Sequence, residues 1–258
     1  MSAGTFNPAP GAAPLSRQVV AHARMEARLM LRNGEQLLLA VVIPVIVLVG
    51  AVAGSERVGL QLDASAIDTF APGVLALAVM STAFTSLAIA TGFERRYGVI
   101  KWLGSSPLPR AGLLAGKVLA LLLVETLQVL VLGGVALALG WDPRATPVAL
   151  LSALAVAAVG TAAFAALGLF VAGVLRAEAT LAAANLVYLL LMAGGAVVLP
   201  ASAYGGFGDL ASWLPSGALG EGMRAALLDG AADVTSMLTL LGWAAVGTVL
   251  TARTFTWE

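Results

Sequence analysis

The chain has 258 residues, of which 60% are hydrophobic and 11% are charged, and its 14 Lys and Arg residues balance its 14 Asp and Glu residues. A soluble domain carries about 25% charged residues, so this composition excludes a water-soluble globule, and the zero net charge argues against a nucleic-acid partner. The absence of cysteine and the single histidine, His22, exclude disulfides, thiolate metal sites and a multi-histidine metal centre within one chain. The sequence therefore predicts an integral membrane protein.

The N-terminal region shows no apolar segment typical of a signal peptide. Met1–Pro14 is a tail of small residues with three prolines, which we expect to be disordered in the cytoplasm. Leu15–Arg32 has helical periodicity, with arginines on one face and aliphatic residues on the other. Residues 15–35 are thus predicted to form an amphipathic interfacial helix, with His22 at the lipid headgroups. This helix serves either as an anchor alone or also as a brace for the bundle.

Six apolar runs follow, each close to the roughly 20 residues that a helix needs to cross a bilayer. They are Gln36–Gly54, Phe70–Gly92, Val118–Gly140, Pro147–Val174, Thr180–Pro200 and Thr235–Ala252. The predicted fold is an all-α membrane protein with a six-span transmembrane domain over residues 36–255.

The distribution of basic residues predicts the orientation of these spans. Cytoplasmic loops of membrane proteins carry an excess of Lys and Arg. With six spans, both termini lie on one side, which holds 11 of the 14 basic residues, whereas the other side holds only Arg57, Arg144 and Arg224. We therefore expect both termini in the cytoplasm.

The longest charged cytoplasmic segment lies between the second and third spans. Helix-forming residues from Phe93 to Leu103 predict a short amphipathic helix, which two prolines shortly afterwards bring to an end. In one interpretation, the charged residues of this segment only anchor it to lipid headgroups. The aromatic side chains of Tyr97 and Trp102 favour contact with a protein partner instead.

A glycine-lysine string, Gly112-x-x-x-Gly116-Lys117, opens the third span. A phosphate-binding loop needs four residues between its glycines and a Ser or Thr after its lysine. Here three residues intervene and Val118 follows, so the string is not a nucleotide site. The chain is predicted to be a non-enzymatic subunit with no catalytic residue, cofactor or metal of its own.

Glu125 is the acidic residue that lies deepest inside a predicted span, where a charge costs about 2.5 kcal/mol or more. Lys117 and Gln128 share its helix face, so the third span is predicted to carry a polar stripe that faces protein or water. Two interpretations stay open. The stripe is either a structural strut between helices or part of a pathway for a cationic substrate.

Two other spans carry polar residues of the kind that usually join membrane helices. The second span has a run of four hydroxyl residues, and the fifth has an amide and a phenol. The additional candidates for a substrate pathway are Ser81, Thr85, Asn185 and Tyr188.

Several short motifs, taken in order, resemble the type-2 ABC export permeases. Around the second cytoplasmic segment and before the sixth span they are Glu94-Arg95, Gly98, Leu103, Pro107-Leu108, Gly116-Lys117, Trp213-Leu214-Pro215 and Glu221-x-x-Arg224. The resemblance extends over residues 15–255 and is nearest to the small, daunorubicin-type drug-resistance subgroup.

This resemblance implies that two permease subunits, identical or paralogous, pair in a bacterial cytoplasmic membrane. Each docks one cytosolic ATPase subunit that binds ATP and Mg²⁺, and drugs or lipid-like amphiphiles are exported, as in multidrug efflux. The segment after the second span would be a coupling helix that contacts the ATPase through Glu94, Arg95, Arg96, Tyr97, Gly98, Lys101, Trp102 and Leu103. A re-entrant or short helical hairpin before the sixth span would cap the pathway outside, with Trp213, Pro215, Glu221 and Arg224.

Other functions fit the residues less well. A secondary, ion-coupled transporter needs an intramembrane ion site, for which Glu125 is the one candidate, and no inverted repeat is evident between the two halves. A membrane enzyme needs clustered catalytic groups, which one histidine and no cysteine do not supply. Within the ABC class, a glycan or lipid exporter stays an alternative.

Overall fold

A computed structural model describes residues 13–32, 34–59, 62, 64–105 and 108–255. Throughout these residues the regular structure is helical, without strands. The prediction of an all-α membrane protein is confirmed. The predicted disordered tail, Met1–Pro14, lies outside the described residues except for its last two positions.

The first two helices, α1 (Leu15–Arg32) and α2 (Gly34–Val58), follow each other closely. α1 packs along α6 (Arg110–Ala138), and its arginines point away from the protein. The expectation that His22 contacts lipid headgroups is wrong, because His22 is buried together with Glu26 and Ala27 on the face toward α6.

Within the described residues, five helices are long and apolar enough to cross a membrane, and α2 adds a shorter apolar stretch, Ala40–Ser55. The first of the five runs without a break from α3 (Ala66–Met80) through a π-helical turn (Ser81–Ser86) into α4 (Leu87–Arg96). The remaining four lie in α6, α7 (Pro147–Val174), α8 (Ala177–Gly194) and α11 (Val234–Thr254). Five of the six predicted runs therefore lie in helices long enough to span a membrane, and the first run, Gln36–Gly54, coincides with the shorter apolar stretch of α2.

The helix α3–α4 lies at the centre of the bundle. In its most apolar window 78% of residues are buried, against 22% in α8 and 17% in α11. Its core-facing residues pack with side chains of α7 and of α10 (Pro215–Arg224). α8 and α11 therefore present most of their surface outward.

The segment after the second predicted span is not the single helix predicted from Phe93 to Leu103. α4 continues to Arg96, and Gly98 then adopts a left-handed conformation with φ of 71°. A separate helix, α5 (Val99–Gly104), follows. A left-handed backbone conformation is unfavourable for residues with a Cβ atom. Gly98 therefore separates the two helices at a position that helix propensities alone do not indicate.

The fifth span also ends earlier than predicted, at Gly194 rather than Pro200. Beyond it Ala196 has a positive φ of 53°. Short helical pieces then connect to α11: a 3₁₀ helix (Ala201–Phe207), α9 (Gly208–Ser212), α10 and a π turn (Ala225–Asp229). These short pieces lie where a re-entrant or short helical hairpin is predicted before the sixth span.

Candidate functional site: the cytoplasmic coupling segment and the polar groups of the bundle

A partly buried charge cluster lies at the base of the predicted coupling segment, Phe93–Leu103. Lys117 Nζ donates to Glu94 Oε1 at 2.7 Å and to Glu26 Oε1 at 3.1 Å. The His22 Nε2 atom lies 3.5 Å from the same Glu26 oxygen. Because these residues come from α4, α6 and α1, one ammonium group joins three helices. We call these four residues the base cluster.

Glycine makes this approach of α1 to α6 feasible. A Cβ atom at Gly116 would collide with the ring of His22. A glycine directly before Lys117 therefore lets α1 come close enough for Glu26 to reach the lysine ammonium. The Gly116-Lys117 pair, which resembles a family motif, has a structural reason in this contact.

The base cluster brings two carboxyl groups and one imidazole to a single ammonium. Burial lowers the pKa of His22, and the neighbouring Lys117 lowers it further, while Glu26 acts in the opposite direction. His22 is thus neutral at pH 7. Among the described residues, Glu94 Oε2 has no hydrogen-bond partner.

Two arginines anchor the end of α4 on its other side. Arg95 donates to the carbonyls of Ala172 and Leu175, where α7 ends, and its guanidinium lies 5.6 Å from the ring centre of Phe255. A cation at a helix C-terminus is favourable because the free carbonyls there carry partial negative charge. Arg96 pairs with Glu178 in the first turn of α8. Both partners of that pair are half exposed, so it stabilises the fold little.

The tip of the segment is exposed. Tyr97 and Lys101 lie on the surface, and 80% of Trp102 is accessible. Ile100 is buried and holds α5 against the bundle, while Leu103 is half-buried. The predicted coupling residues therefore divide into an inward set (Glu94 and Arg95), a half-exposed Arg96, a turn (Gly98) and an exposed tip (Tyr97, Lys101 and Trp102).

The predicted polar stripe on the third span divides into separate contacts. Lys117 belongs to the base cluster. Gln128 accepts from the Thr82 hydroxyl at 2.8 Å and donates to the Ala40 carbonyl at 3.0 Å. It therefore links α6 to the π turn of the central helix and to α2.

Glu125 bonds to a residue that the sequence did not indicate. Its Oε2 atom lies 2.7 Å from the Thr161 hydroxyl of α7, which also lies 2.8 Å from the Ala157 carbonyl. Oε1 has no partner among the described residues. Since the side chain is only 5% accessible, this carboxyl is one of the few poorly satisfied polar groups inside the bundle.

The remaining pathway candidates do not share one site. Ser81 of the π turn forms a hydrogen bond with Tyr188 of α8. Thr85 is only slightly accessible and its hydroxyl has no partner within the described part of the chain. Asn185 is exposed on the outward face of α8.

The outer hairpin is organised by Arg224, which is only 4% accessible. Its guanidinium donates to Glu221 and to the four consecutive carbonyls after the end of α8, those of Ala196, Val197, Val198 and Leu199. Glu221 also accepts from the Ala201 backbone at 2.7 Å. Pro215 begins α10 and is buried, whereas Trp213 is exposed. The Glu-x-x-Arg spacing therefore caps an unwound stretch of backbone.

Sequence analysis missed His22, Glu26 and Thr161 as site residues. The only available signal was the i,i+4 spacing of His22 and Glu26, which places both on one side of α1. Thr161 lies in an otherwise apolar span without any distinguishing motif.

The apolar helices of this bundle define a multi-pass membrane protein. The chain belongs to the ABC-2 family of transporter proteins, because the sequence profile described as ABC-2 family transporter protein matches residues 37–253. This match confirms the resemblance to type-2 ABC permeases, and membership implies association with ABC ATPase subunits. A search of curated proteins finds no match.

Proposed function

We propose that this chain is the permease subunit of an ATP-driven exporter in a bacterial cytoplasmic membrane, with both termini in the cytoplasm. Two permease copies, or one copy and a paralogue, form the pathway, and two ATPase subunits supply ATP and Mg²⁺ chemistry. Drugs or lipid-like amphiphiles are the cargo. The observation that carries the proposal is an exposed aromatic tip on a rigid, charge-anchored base.

The anchoring of the tip suggests how force reaches the bundle. A displacement of Trp102 by the ATPase would move the short helix α5 and, through it, the end of α4. From there the Glu94–Lys117 contact leads to α6 and α1, and the Arg95 contacts lead to the end of α7. Because ATPase movement must displace helices rather than bend a loop, such a base suits a coupling element.

The outward face of α8 supports pairing of two permeases. Asn185 sits near the middle of this span and faces away from its own bundle, beside exposed Leu186 and Leu189. An amide in hydrocarbon is expensive unless it finds a hydrogen-bond partner on another helix. A second copy that presents the same face would bring two such amides together.

The outer hairpin supplies a closed external end in this proposal. Arg224 and Glu221 hold α10 against the unwound backbone after α8. We propose that this hairpin re-enters the membrane from outside and closes the pathway, and that it separates from the bundle when cargo leaves. Trp213, exposed just before α10, lies at its outer edge.

A secondary transporter is the alternative that one observation favours, because Glu125 is a buried carboxyl with a free oxygen. The two functions differ in their source of energy. Reconstituted permease with its ATPase should transport on addition of ATP and Mg²⁺ without any ion gradient. Transport driven by a proton gradient in the absence of ATP would establish the alternative.

Co-purification with an ATPase encoded beside the permease tests the docking surface. Trp102→Ala should weaken binding of the ATPase by about 30-fold, because a buried tryptophan at an interface contributes about 2 kcal/mol or more. Trp213→Ala is the matched control, since it removes another exposed tryptophan, 63% accessible, from the predicted outer hairpin. Equal ATPase binding by both variants would contradict the assignment of the coupling tip.

A further inference from the structure

A large apolar cleft opens between α6, α7 and α11, toward the cytoplasmic half of the bundle. Its volume is about 620 Å³, within the range of about 300–1,000 Å³ typical of small-molecule sites. The cleft exists because α7 turns a face of alanines toward it at positions 158, 162, 165 and 166. Across from them lie Val118, Leu121 and Leu122 of α6.

A carboxyl group lies behind the wall of this cleft. Glu125 follows Leu121 and Leu122 by one helical turn, on the same face of α6. Its hydrogen-bond partner Thr161 is itself a lining residue of the cleft. The second carboxyl oxygen, Oε1, is buried without a partner in the described part of the chain, which is costly for a polar group at this depth.

The contacts of Thr161 leave the carboxyl with unused hydrogen-bond capacity. The Thr161 hydroxyl donates to Glu125 Oε2 and also lies 2.8 Å from the Ala157 carbonyl. Because a hydroxyl has only one hydrogen, it cannot fully satisfy both acceptors. The carboxyl can therefore accept a further donor at Oε1.

The charged groups beside the cleft decide the sign of the ligand. Lys117 lines the cleft, but its ammonium is already bound by two carboxyl groups of the base cluster. Arg95 lies over the ring of Phe255, another lining residue, and donates to the carbonyls at the end of α7. Both cations are therefore engaged by other groups. An apolar cleft with a carboxyl behind its wall is complementary to a lipophilic cation.

We propose that this cleft binds a lipophilic cation, such as a protonated amine with an apolar body, with the cationic group at Glu125. The inference deepens the proposed function by naming the substrate class, and its transport role rests on that function, although binding does not. On binding, the Glu125 carboxylate pairs with the cation and keeps its hydrogen bond from the Thr161 hydroxyl.

Binding to the purified permease in lipid nanodiscs, without ATPase or ATP, tests the site directly. The probes are rhodamine 6G, a lipophilic cation, and Nile red, a neutral dye of similar apolar character. Glu125→Gln keeps the size and hydrogen bonding of the side chain but cannot become an anion. It should weaken rhodamine 6G binding at least tenfold and leave Nile red binding unchanged. The matched control is Glu178→Gln, which removes an exposed acid far from the cleft.

A second variant tests the location independently of the carboxyl. Ala162 lines the cleft and is exposed within it, so Ala162→Leu fills space without crowding the core and should weaken both dyes. It also decides the location if the Glu125→Gln protein does not fold.

The outcomes separate this inference from the proposed function. Unchanged rhodamine 6G binding in Glu125→Gln, or in Ala162→Leu, would overturn the site. Equal binding of both dyes to wild type, lost only in Ala162→Leu, would identify a neutral lipid cleft and also overturn it. Cation binding that depends on Glu125, in a permease that fails to assemble with an ATPase, would keep the site and reject the exporter.

Discussion

The ammonium of Lys117 donates to the Glu94 carboxylate across 2.7 Å. This contact joins the start of α6 to the end of α4, directly beside the exposed coupling tip. Because the same ammonium also binds Glu26 of α1, the interfacial helix and the coupling segment share one partner. A displacement of either one therefore changes the electrostatic environment of the other.

Lys117→Met should destabilise the protein by about 3 kcal/mol, because removal of one partner from a buried ion pair leaves uncompensated charge. Here it leaves two carboxylates facing each other. Unfolding in a detergent series measures the change in free energy. Lys101→Met is the control, since it removes an exposed lysine from the coupling tip, and it should be nearly neutral. Adding Glu26→Gln and Glu94→Gln to Lys117→Met should restore much of the loss; no recovery would contradict the ion-pair explanation.

Docking of α1 should weaken in acid. His22 has a folded-state pKa below its ordinary value of 6.5, chiefly because it is buried, and the charged groups that face it are Glu26, Lys117 and Glu94. A lowered pKa means that the undocked helix binds protons more readily, so this contribution to stability is present above about pH 6.5 and is lost as the pH falls below it.

Hydrogen exchange of α1 measures this effect between about pH 7 and about pH 5, after correction for the intrinsic exchange rate. Wild type should lose protection as the pH falls, and His22→Asn, which cannot titrate in this range, should show a flatter profile. Identical pH profiles in the two proteins would assign the dependence to the carboxylates of the base cluster and contradict a role for His22.

Much of the fold could be predicted because span positions depend on composition. Uninterrupted apolar runs locate helices whatever their neighbours are, and exposed aromatic residues such as Trp102 mark an accessible tip. Pairings could not be predicted in the same way. Helical periodicity places Lys117, Glu125 and Gln128 on one face, but which neighbouring helix each one meets depends on tertiary packing. In the structure, Lys117 contacts α1 and α4, and Glu125 contacts α7. Gln128 contacts α2 and the π turn.

The ends of the helices could not be predicted from the sequence pattern either. The fifth apolar run continues to Pro200, yet α8 ends at Gly194. The carbonyls of the unwound stretch are satisfied by Arg224, which lies about 25 residues further along the chain. A hydrophobicity pattern contains no information about a hydrogen-bond donor from a distant element. A prediction based on it therefore makes the helix too long.

Gly73 should not tolerate a side chain. A Cβ atom there would lie 2.6 Å from the Val197 carbonyl and 2.8 Å from the Arg224 guanidinium. Since backbone atoms cannot move aside cheaply, Gly73→Ala should cost about 1–3 kcal/mol through overpacking. Gly133→Ala is the control, because a Cβ in that helix meets nothing within 4 Å and alanine favours helix by about 1 kcal/mol. Detergent unfolding should show opposite signs, and a loss of similar size in both would contradict the packing argument.

The last prediction orders three substitutions at the outer hairpin. Arg224→Met removes every donor to the carbonyls of residues 196–199 and should cost the most, about 3 kcal/mol or more, because several buried acceptors lose their partner together. Arg224→Lys keeps the charge but offers three donors without the fork, so it should cost less. Glu221→Gln should cost least, since Arg224 keeps its carbonyl contacts and the Glu221 side chain is 28% accessible. Detergent unfolding measures the order, and proteolysis from the outer side reports whether residues 196–201 have opened. If Glu221→Gln were the most destabilising of the three, the carboxylate rather than the guanidinium would organise the hairpin.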